Sequence, residues 1–232
     1  MDEHPGIPEH GRGGAATSPP AASPLLTEAV RYAEDWFWEV VPGTHLVDSE
    51  GGPHCSCRAA HCSRPGAHPA HHDWQRLASA GPTRVGLWWT EDPQAAILLP
   101  AGRSFDVLDV SMTAGCLALT RMERMETQFG PVLSAPAEPG RRDRRMLFLA
   151  PPGTLAKLPE LLRRFGWAPD RLDLTGRGEG DWIVAPPSRL GPYGFAQWAR
   201  PPSFANRWLP DAAELVGSLA YACRRAAPWP GP

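Results

Sequence analysis

Lysine is almost missing from this chain of 232 residues, because Lys157 is the only one and arginine supplies the rest of the side-chain positive charge. Alanine, proline and glycine are abundant, which is typical of a GC-rich genome and makes the arginine excess only weak support for phosphate binding. The formal net charge of -2 gives no overall basic field that would attract nucleic acid. Any contact with nucleic acid must therefore come from a local patch.

Long apolar runs are missing too. No stretch approaches the ~18 apolar residues that can cross a membrane, and residues 1 to 24 contain no apolar segment of the signal-peptide type. We therefore expect no membrane partner and a cytoplasmic protein. The five cysteines are an odd number, and three of them lie within eight residues. This arrangement favours a metal site in a reducing compartment over a disulfide framework.

Apolar periodicity predicts one main domain with shorter segments at both ends. Residues 1 to 23 and 228 to 232 lack this periodicity, so we predict a disordered leader and a disordered tail. Between them we predict a domain over residues 24 to 200 and a helical extension over 201 to 227. The predicted helices are 24–38, 74–79, 113–129, 155–165 and 210–225, and the main predicted strands are 95–99, 105–110, 146–150, 172–174, 182–185 and 193–198. The order has no regular βαβ rhythm, which leaves an α+β fold and a doubly wound sheet both open.

A cluster of cysteine and histidine lies in the loop-like segment of residues 54 to 69. Cys55, Cys57, Cys62 and His68 offer three thiols and one imidazole, a ligand set typical of a closed tetrahedral zinc site. Because no position would stay open, such a zinc ion would be structural rather than catalytic. Two alternatives remain: the thiols could form a cluster without metal, or a nearby histidine could replace His68. The nearby histidines are His54, His61, His71 and His72.

Two acidic strands supply the candidate catalytic residues. Asp106 and Asp109 lie three apart in one predicted strand, so they face opposite sides, whereas Ser111 lies on the same face as Asp109. A two-metal site would favour acids at both of these last two positions. Asp173 lies on a second short strand ahead of a glycine-rich turn. The alternative for Asp109 is an acid at a strand end that caps a helix beginning near Thr113.

Arginines form a local basic spot just ahead of the predicted strand of residues 146–150. Arg144 and Arg145 follow two more arginines at positions 141 and 142. Guanidinium groups suit phosphates, so Arg144 and Arg145 are candidate phosphate-binding residues. The alternative is a solvated loop in an arginine-rich chain.

Together these segments resemble the N-terminal primase–polymerase domain of bifunctional DNA primase/polymerases, in the archaeo-eukaryotic primase superfamily. The resemblance runs from about residue 25 to residue 198 and rests on the shared order of several short pieces. These pieces are the opening helix with Ala33, the Cys-x-Cys…Cys…Pro-Gly-Ala-His-Pro loop, Trp88-Trp89 followed by Pro93, residues 105 to 110, the strand that contains Phe148, and residues 178 to 188. The run Val184-Ala-Pro-Pro-Ser188 is the most specific of them, and Ser188 joins the candidates for nucleotide or phosphate binding.

The resemblance implies a compact α+β domain with a mixed sheet, flanking helices and a zinc-binding loop. It also implies template-dependent nucleotidyl transfer, with Mg²⁺ or Mn²⁺ held by Asp109 and Asp173. Ser111 stands where the family has a second acid. Arg145 stands where the family tends to place a histidine that contacts the incoming nucleotide.

These departures predict weakened or lost catalysis, with a non-catalytic nucleotide-binding, nucleic-acid-binding or regulatory domain as the alternative. Nucleotides and DNA are the expected partners. The chain contains no Gly-x-x-x-x-Gly-Lys-Ser/Thr run, so we expect any helicase-type partner in replication to be a separate protein.

Overall fold

The computed structural model describes residues 23–137, 143–206 and 208–227. The predicted disordered tail, and all of the predicted leader except its last residue, lie outside these described residues. Within the described ranges, no helix combines the length and the apolar character that a membrane crossing requires.

The described residues form helices α1 (Pro24–Trp36), α2 (Trp74–Leu77), α3 (Pro82–Glu91), α4 (Met112–Arg124), α5 (Thr154–Arg164) and α6 (Ala212–Ala226). The strands are β1 (Val41–Gly43), β2 (Leu46–Val47), β3 (His54–Cys55), β4 (Ala96–Pro100), β5 (Asp106–Ser111), β6 (Val132–Ala135), β7 (Arg145–Ala150), β8 (Leu174–Arg177), β9 (Trp182–Val184) and β10 (Gln197–Arg200). Short 3₁₀ turns occur at Pro169–Arg171, Gly191–Tyr193 and Phe204–Asn206.

Two helix starts are fixed by side chains that accept a backbone hydrogen bond. Ser111 Oγ accepts from the Ala114 amide at 3.3 Å at the start of α4, and Asp211 Oδ1 accepts from the Ala213 amide at 2.8 Å at the start of α6. Each bond satisfies one of the amides that a helix leaves without a partner in its first turn. Both helices therefore begin where the sequence supplies a capping side chain.

Two predicted element boundaries are wrong for local reasons. The helix predicted over 113–129 ends at Arg124, because Glu126 adopts a left-handed conformation (φ 53°) and the Thr127 amide donates to Met122 O at 3.0 Å. This arrangement is typical of a helix C-terminus. The last strand is Gln197–Arg200 rather than residues 193–198, because Gly194 at φ 120° turns the chain just before it.

The larger sheet has five strands in the order β10-β6-β7-β5-β8, and a second sheet has the order β1-β4-β9. β5 and β6 run in the same direction with β7 between them, and α4 connects the two. β7 and β8 are related in the same way across β5, with α5 as the connection. The order β5-α4-β6-β7-α5-β8 is therefore a ferredoxin-like split βαβ arrangement.

The predicted α+β class with flanking helices is confirmed, but one detail of the prediction is wrong. Every described strand pair is antiparallel, so the sheets are not mixed. The reason is that each crossover helix returns the chain two strands away, and the strand that lies between runs in the opposite direction.

The five-stranded sheet separates two apolar cores. Leu108 and Phe148 point toward the core shared with α4, α5 and α6, whereas Val107 and Leu147 point toward the core shared with α1, α3 and the three-stranded sheet. Side chains alternate along a strand, so Asp109 points to the same side as Val107. The fold thus directs the predicted catalytic acid of β5 into the space between the two sheets.

Candidate functional site

Strand register brings four charged residues to one face of the larger sheet. Ser111 pairs with Arg145 across β5 and β7, while Val107 pairs with Arg177 across β5 and β8. Each arginine is therefore a diagonal neighbour of Asp109 on the same face, a separation that a long side chain can span. The prediction that Asp173 lies on a strand of residues 172–174 is wrong, because β8 begins at Leu174. Asp173 immediately precedes β8, and its side chain reaches the same group.

The guanidinium of Arg145 lies between the two predicted catalytic acids. Its Nε donates to Asp109 Oδ1 at 2.6 Å, and Nη1 and Nη2 donate to Asp173 Oδ2 and Oδ1 at 2.6 and 2.9 Å. Arg177 completes the group, because its Nε and Nη2 donate to Asp109 Oδ2 at 3.2 and 2.7 Å. All four carboxylate oxygens therefore accept a hydrogen bond from a guanidinium. We call Asp109, Arg145, Asp173 and Arg177 the ion-pair cluster.

The ion-pair cluster runs from the interior to the surface. The side chains of Asp109 and Arg145 are 2% and 4% exposed, whereas that of Asp173 is 51% exposed. Burial alone would lower the pKa of Arg145, but the hydrogen bonds that it donates to Asp173 and Asp109, and the charges of these carboxylates, outweigh burial and raise the pKa above its ordinary value. Arg145 is thus a fixed positive charge, and the two arginines neutralise the two acids.

The donor set of the ion-pair cluster does not fit a pair of divalent cations. Mg²⁺ and Mn²⁺ need carboxylate oxygens that are open to them, and here a guanidinium lies between the acids and is bonded to both. Ser111 does not replace the lost acid, because its hydroxyl accepts from the Ala114 amide at the start of α4. A metal could use Asp109 and Asp173 only after Arg145 had moved away.

The two acids of β5 have separate partners, as their spacing predicts. Asp106 points to the helix side of the sheet, where its Oδ2 accepts from the Leu155 amide at 3.0 Å and caps the first turn of α5. Asp109 points to the other side, and the alternative that it caps α4 is wrong, because Ser111 does so.

The structure does not bring the two predicted phosphate-binding arginines together. Arg144 donates to Ser134 Oγ at 3.1 Å, and Ser134 pairs with Met146, which belongs to the opposite face from Arg145. Neighbouring residues on a strand point in opposite directions, so Arg144 lies away from Asp109 and Asp173.

Ser188 also lies in a setting that explains it structurally. Ser188 is 2% exposed, and its Oγ accepts a hydrogen bond from the Ile97 amide at 2.7 Å. This bond connects the loop after β9 to the start of β4. A cavity of about 140 Å³ adjoins Ser188, His45 and Arg189. Sites for drug-sized ligands are typically about 300–1,000 Å³, so this cavity is too small for a whole nucleotide.

Arg177 is the member of the ion-pair cluster that the sequence did not single out. A signal was present in the even spacing of residues 173, 175 and 177, which would share a face if the strand predicted over 172–174 continued to Arg177. An arginine four residues after a candidate metal acid, on the same face, can pair with that acid or with its neighbour across the sheet.

The predicted cysteine and histidine ligands come together around the β2–β3 hairpin. The ligand atoms of Cys55, Cys57, Cys62 and His68 all lie within 4.8 Å of one another, and the group can hold a metal ion. The Nδ1 of His68 lies 2.9 Å from Pro69 O. This contact fits a tautomer that donates from Nδ1 and leaves Nε2 for the metal.

The thiols of this Cys/His cluster do not all ionise easily without a cation. Burial acts to raise the pKa of Cys55, but hydrogen bonds from Cys57, Thr44 and the Gly66 amide outweigh it and lower the pKa to about 6. Burial, together with the Cys55 and Cys57 thiols, raises the pKa of Cys62 to about 11. A bound cation would offset the repulsion between neighbouring thiolates and permit three of them in one site.

Fold and site together define an α+β domain with a ferredoxin-like sheet, one acid on strand β5, a second just before the edge strand β8, and a Cys₃His cluster that can hold a metal ion. The protein-family model described as "Bifunctional DNA primase/polymerase, N-terminal", abbreviated Prim-Pol, matches residues 29–212. Because the match covers most of the chain, this protein belongs to the Prim-Pol family. Comparison with curated proteins and with solved structures gave no match.

Proposed function

We propose that this protein is a primase–polymerase-like domain in which nucleotidyl transfer is strongly weakened or lost. The observation that carries the proposal is the guanidinium of Arg145, which is bonded to both Asp109 and Asp173. Nucleotidyl transfer requires cations, held by acids, that offset the charge of a triphosphate. Here the acids are already neutralised by two arginines from the same fold.

The hydrogen bonds of Arg145 indicate how large the obstacle to metal binding is. Moving the guanidinium away from both acids breaks three bonds between charged groups, each worth about 1.5–3 kcal/mol. Because Asp173 is half exposed, its two bonds count for less than the one to buried Asp109. A total penalty of about 3 kcal/mol would weaken metal binding by about 100-fold. At metal concentrations below saturation, the rate of nucleotidyl transfer would fall by the same factor.

A second function, non-catalytic binding of nucleotides or DNA, is favoured by the geometry on the exposed side of the ion-pair cluster. Asp173 meets Arg145 through two parallel hydrogen bonds, and its side chain is half exposed. A phosphate can make the same two-pronged contact with a guanidinium, so a phosphate group could replace Asp173 there. Such binding should weaken steeply with salt concentration.

We also propose zinc as the metal of the Cys/His cluster. Three thiolates and one imidazole are a typical set for structural zinc, and they leave no position open for a substrate. The ion would connect the β2–β3 hairpin to the following loop and so would stabilise the fold rather than take part in the reaction.

Primer extension and primer synthesis with Mg²⁺ and with Mn²⁺ test the first proposal. We expect no more product from the unmodified protein than from Asp173→Ala, a control chosen because Asp173 is half exposed and its replacement should leave the fold intact. Robust extension by the unmodified protein, abolished in Asp173→Ala, would refute the proposal.

Binding measurements separate the second function from the first. Titration of inorganic pyrophosphate and of a single-stranded oligonucleotide at low salt should show tighter binding to Asp173→Asn than to the unmodified protein, because the substitution removes the competing carboxylate charge. Adding Arg145→Gln to the Asp173→Asn variant should lower its affinity for pyrophosphate and for the oligonucleotide. No binding by any of the three proteins would leave the domain as a scaffold and contradict the binding function.

A further inference from the structure

Three sulfur atoms meet on the helix side of the larger sheet, away from the ion-pair cluster. Cys116 Sγ lies 3.8 Å from Met112 Sδ and 3.9 Å from Met146 Sδ. The chain has five methionines and five cysteines, and this grouping brings together three of these ten residues. We call Met112, Cys116 and Met146 the sulfur triad.

The fold holds the sulfur triad in place. Met112 and Cys116 are four residues apart on α4 and therefore lie one above the other on the same helix face. Met146 comes from β7 beneath the helix, and Gly115 makes the close approach possible. A Cβ at Gly115 would lie only 2.4 Å from Met146 Sδ, so a larger residue would push the strand sulfur away.

The donor set of the sulfur triad selects for a particular kind of ion. A thiolate with two thioethers is a soft set, which suits Cu(I) and not Mg²⁺ or Mn²⁺. Metal–sulfur bonds of about 2.3 Å, as in zinc thiolates, place the sulfurs of a trigonal site about 4.0 Å apart. The separations from Cys116 Sγ to the two thioether sulfurs, 3.8 and 3.9 Å, allow one ion to reach the thiol and either thioether without a large rearrangement.

Access and charge fit the same ion. Cys116 is exposed and Met112 is half-buried, so an ion from solvent can reach the thiol, while Met146 is buried and forms the floor. We propose that Met112, Cys116 and Met146 form a binding site for Cu(I). On binding, the thiol releases its proton to solvent, and the thiolate neutralises the single positive charge of the ion.

The test uses the full-length, zinc-loaded protein under anaerobic conditions, with Cu(I) supplied as its bicinchoninate complex. Mass mapping after brief iodoacetamide treatment reports on Cys116 separately from the Cys/His cluster. One bound equivalent should slow alkylation of Cys116 at least tenfold. Zinc release, followed in parallel, reveals any copper that enters the other cluster instead.

Methionine variants decide between a built site and a lone thiol. Met112→Leu and Met146→Leu keep the thiol but remove one donor each, so Cu(I) should protect Cys116 at least tenfold less well. Met125→Leu, at the other end of α4 and exposed, is the matched control and should behave like the unmodified protein. Equal protection in all variants, or no protection in any, would overturn the proposal.

Discussion

Replacement of Arg145 by methionine should destabilise the fold far more than loss of its exposed partner. In Arg145→Met the Asp109 carboxylate, whose side chain is 2% exposed, keeps only its bonds from Arg177. Removing one partner from a buried ion pair costs about 3–5 kcal/mol, and the remaining arginine places the expected loss near 3 kcal/mol. Asp173→Asn removes a charge that is half exposed, and such pairs contribute about 0–1 kcal/mol.

Equilibrium unfolding in urea, followed by tryptophan fluorescence in zinc-containing buffer, measures this difference. With a slope of about 2 kcal/mol per molar urea, the unfolding midpoint of Arg145→Met should fall by about 1.5 M and that of Asp173→Asn by less than 0.5 M. Combining Asp109→Asn with Arg145→Met should recover part of the loss, because the ion-pair cluster then contains no buried carboxylate charge. Equal midpoints for the two single variants would refute the reasoning. They would show that the buried pair of Asp109 and Arg145 contributes no more to stability than the half-exposed pair of Asp173 and Arg145.

Three further outcomes are expected. Freshly purified protein should carry about one equivalent of zinc by elemental analysis, and Cys57→Ser should lose that zinc and unfold at lower temperature; zinc-free purified protein would contradict this. Burial, reinforced by the nearby Asp173 carboxylate, raises the pKa of Cys223 to about 12. At pH 8 its thiol should therefore react with iodoacetamide at least about 100-fold more slowly than exposed Cys116; similar rates for the two thiols by peptide mapping would contradict the burial of Cys223. Ser188→Ala should lower the free energy of unfolding by about 1–3 kcal/mol, because it removes the acceptor for the buried Ile97 amide; an unchanged thermal midpoint would mean that this hydrogen bond contributes nothing.

Local spacing was enough to predict the Cys/His cluster and the opposite orientations of the two acids on β5. Cys55, Cys57 and Cys62 lie close in sequence in a segment rich in turn-forming residues, so a short loop can bring them together without help from distant strands. Asp106 and Asp109 follow from alternation along one strand, which holds wherever that strand lies in the sheet.

The ion-pair cluster could not be predicted in this way, because it depends on which strands are neighbours and in what register. Arg145 is 36 residues from Asp109 and Arg177 is 68 residues from it. A shift of one residue in either pairing would turn the arginine to the opposite face. The adjacent position shows the point, since Arg144 differs from Arg145 by one residue and binds Ser134 on the other side of the sheet.

The position of β5 between β7 and β8 has a consequence for how the chain is made. Its two neighbours, β7 and β8, both follow it in the sequence, and the three-stranded sheet likewise waits for β9. At about 5–20 residues per second on the ribosome, the 68 residues from Asp109 to Arg177 take about 3–14 s to synthesise. β5 has apolar side chains on both faces; its edge toward β7 stays open until β7 is made, 36 residues after Asp109, and its edge toward β8 stays open for the whole interval. Nascent chains that stop before β8 should therefore depend on chaperones. The larger sheet can be completed only after the last third of the protein has been synthesised.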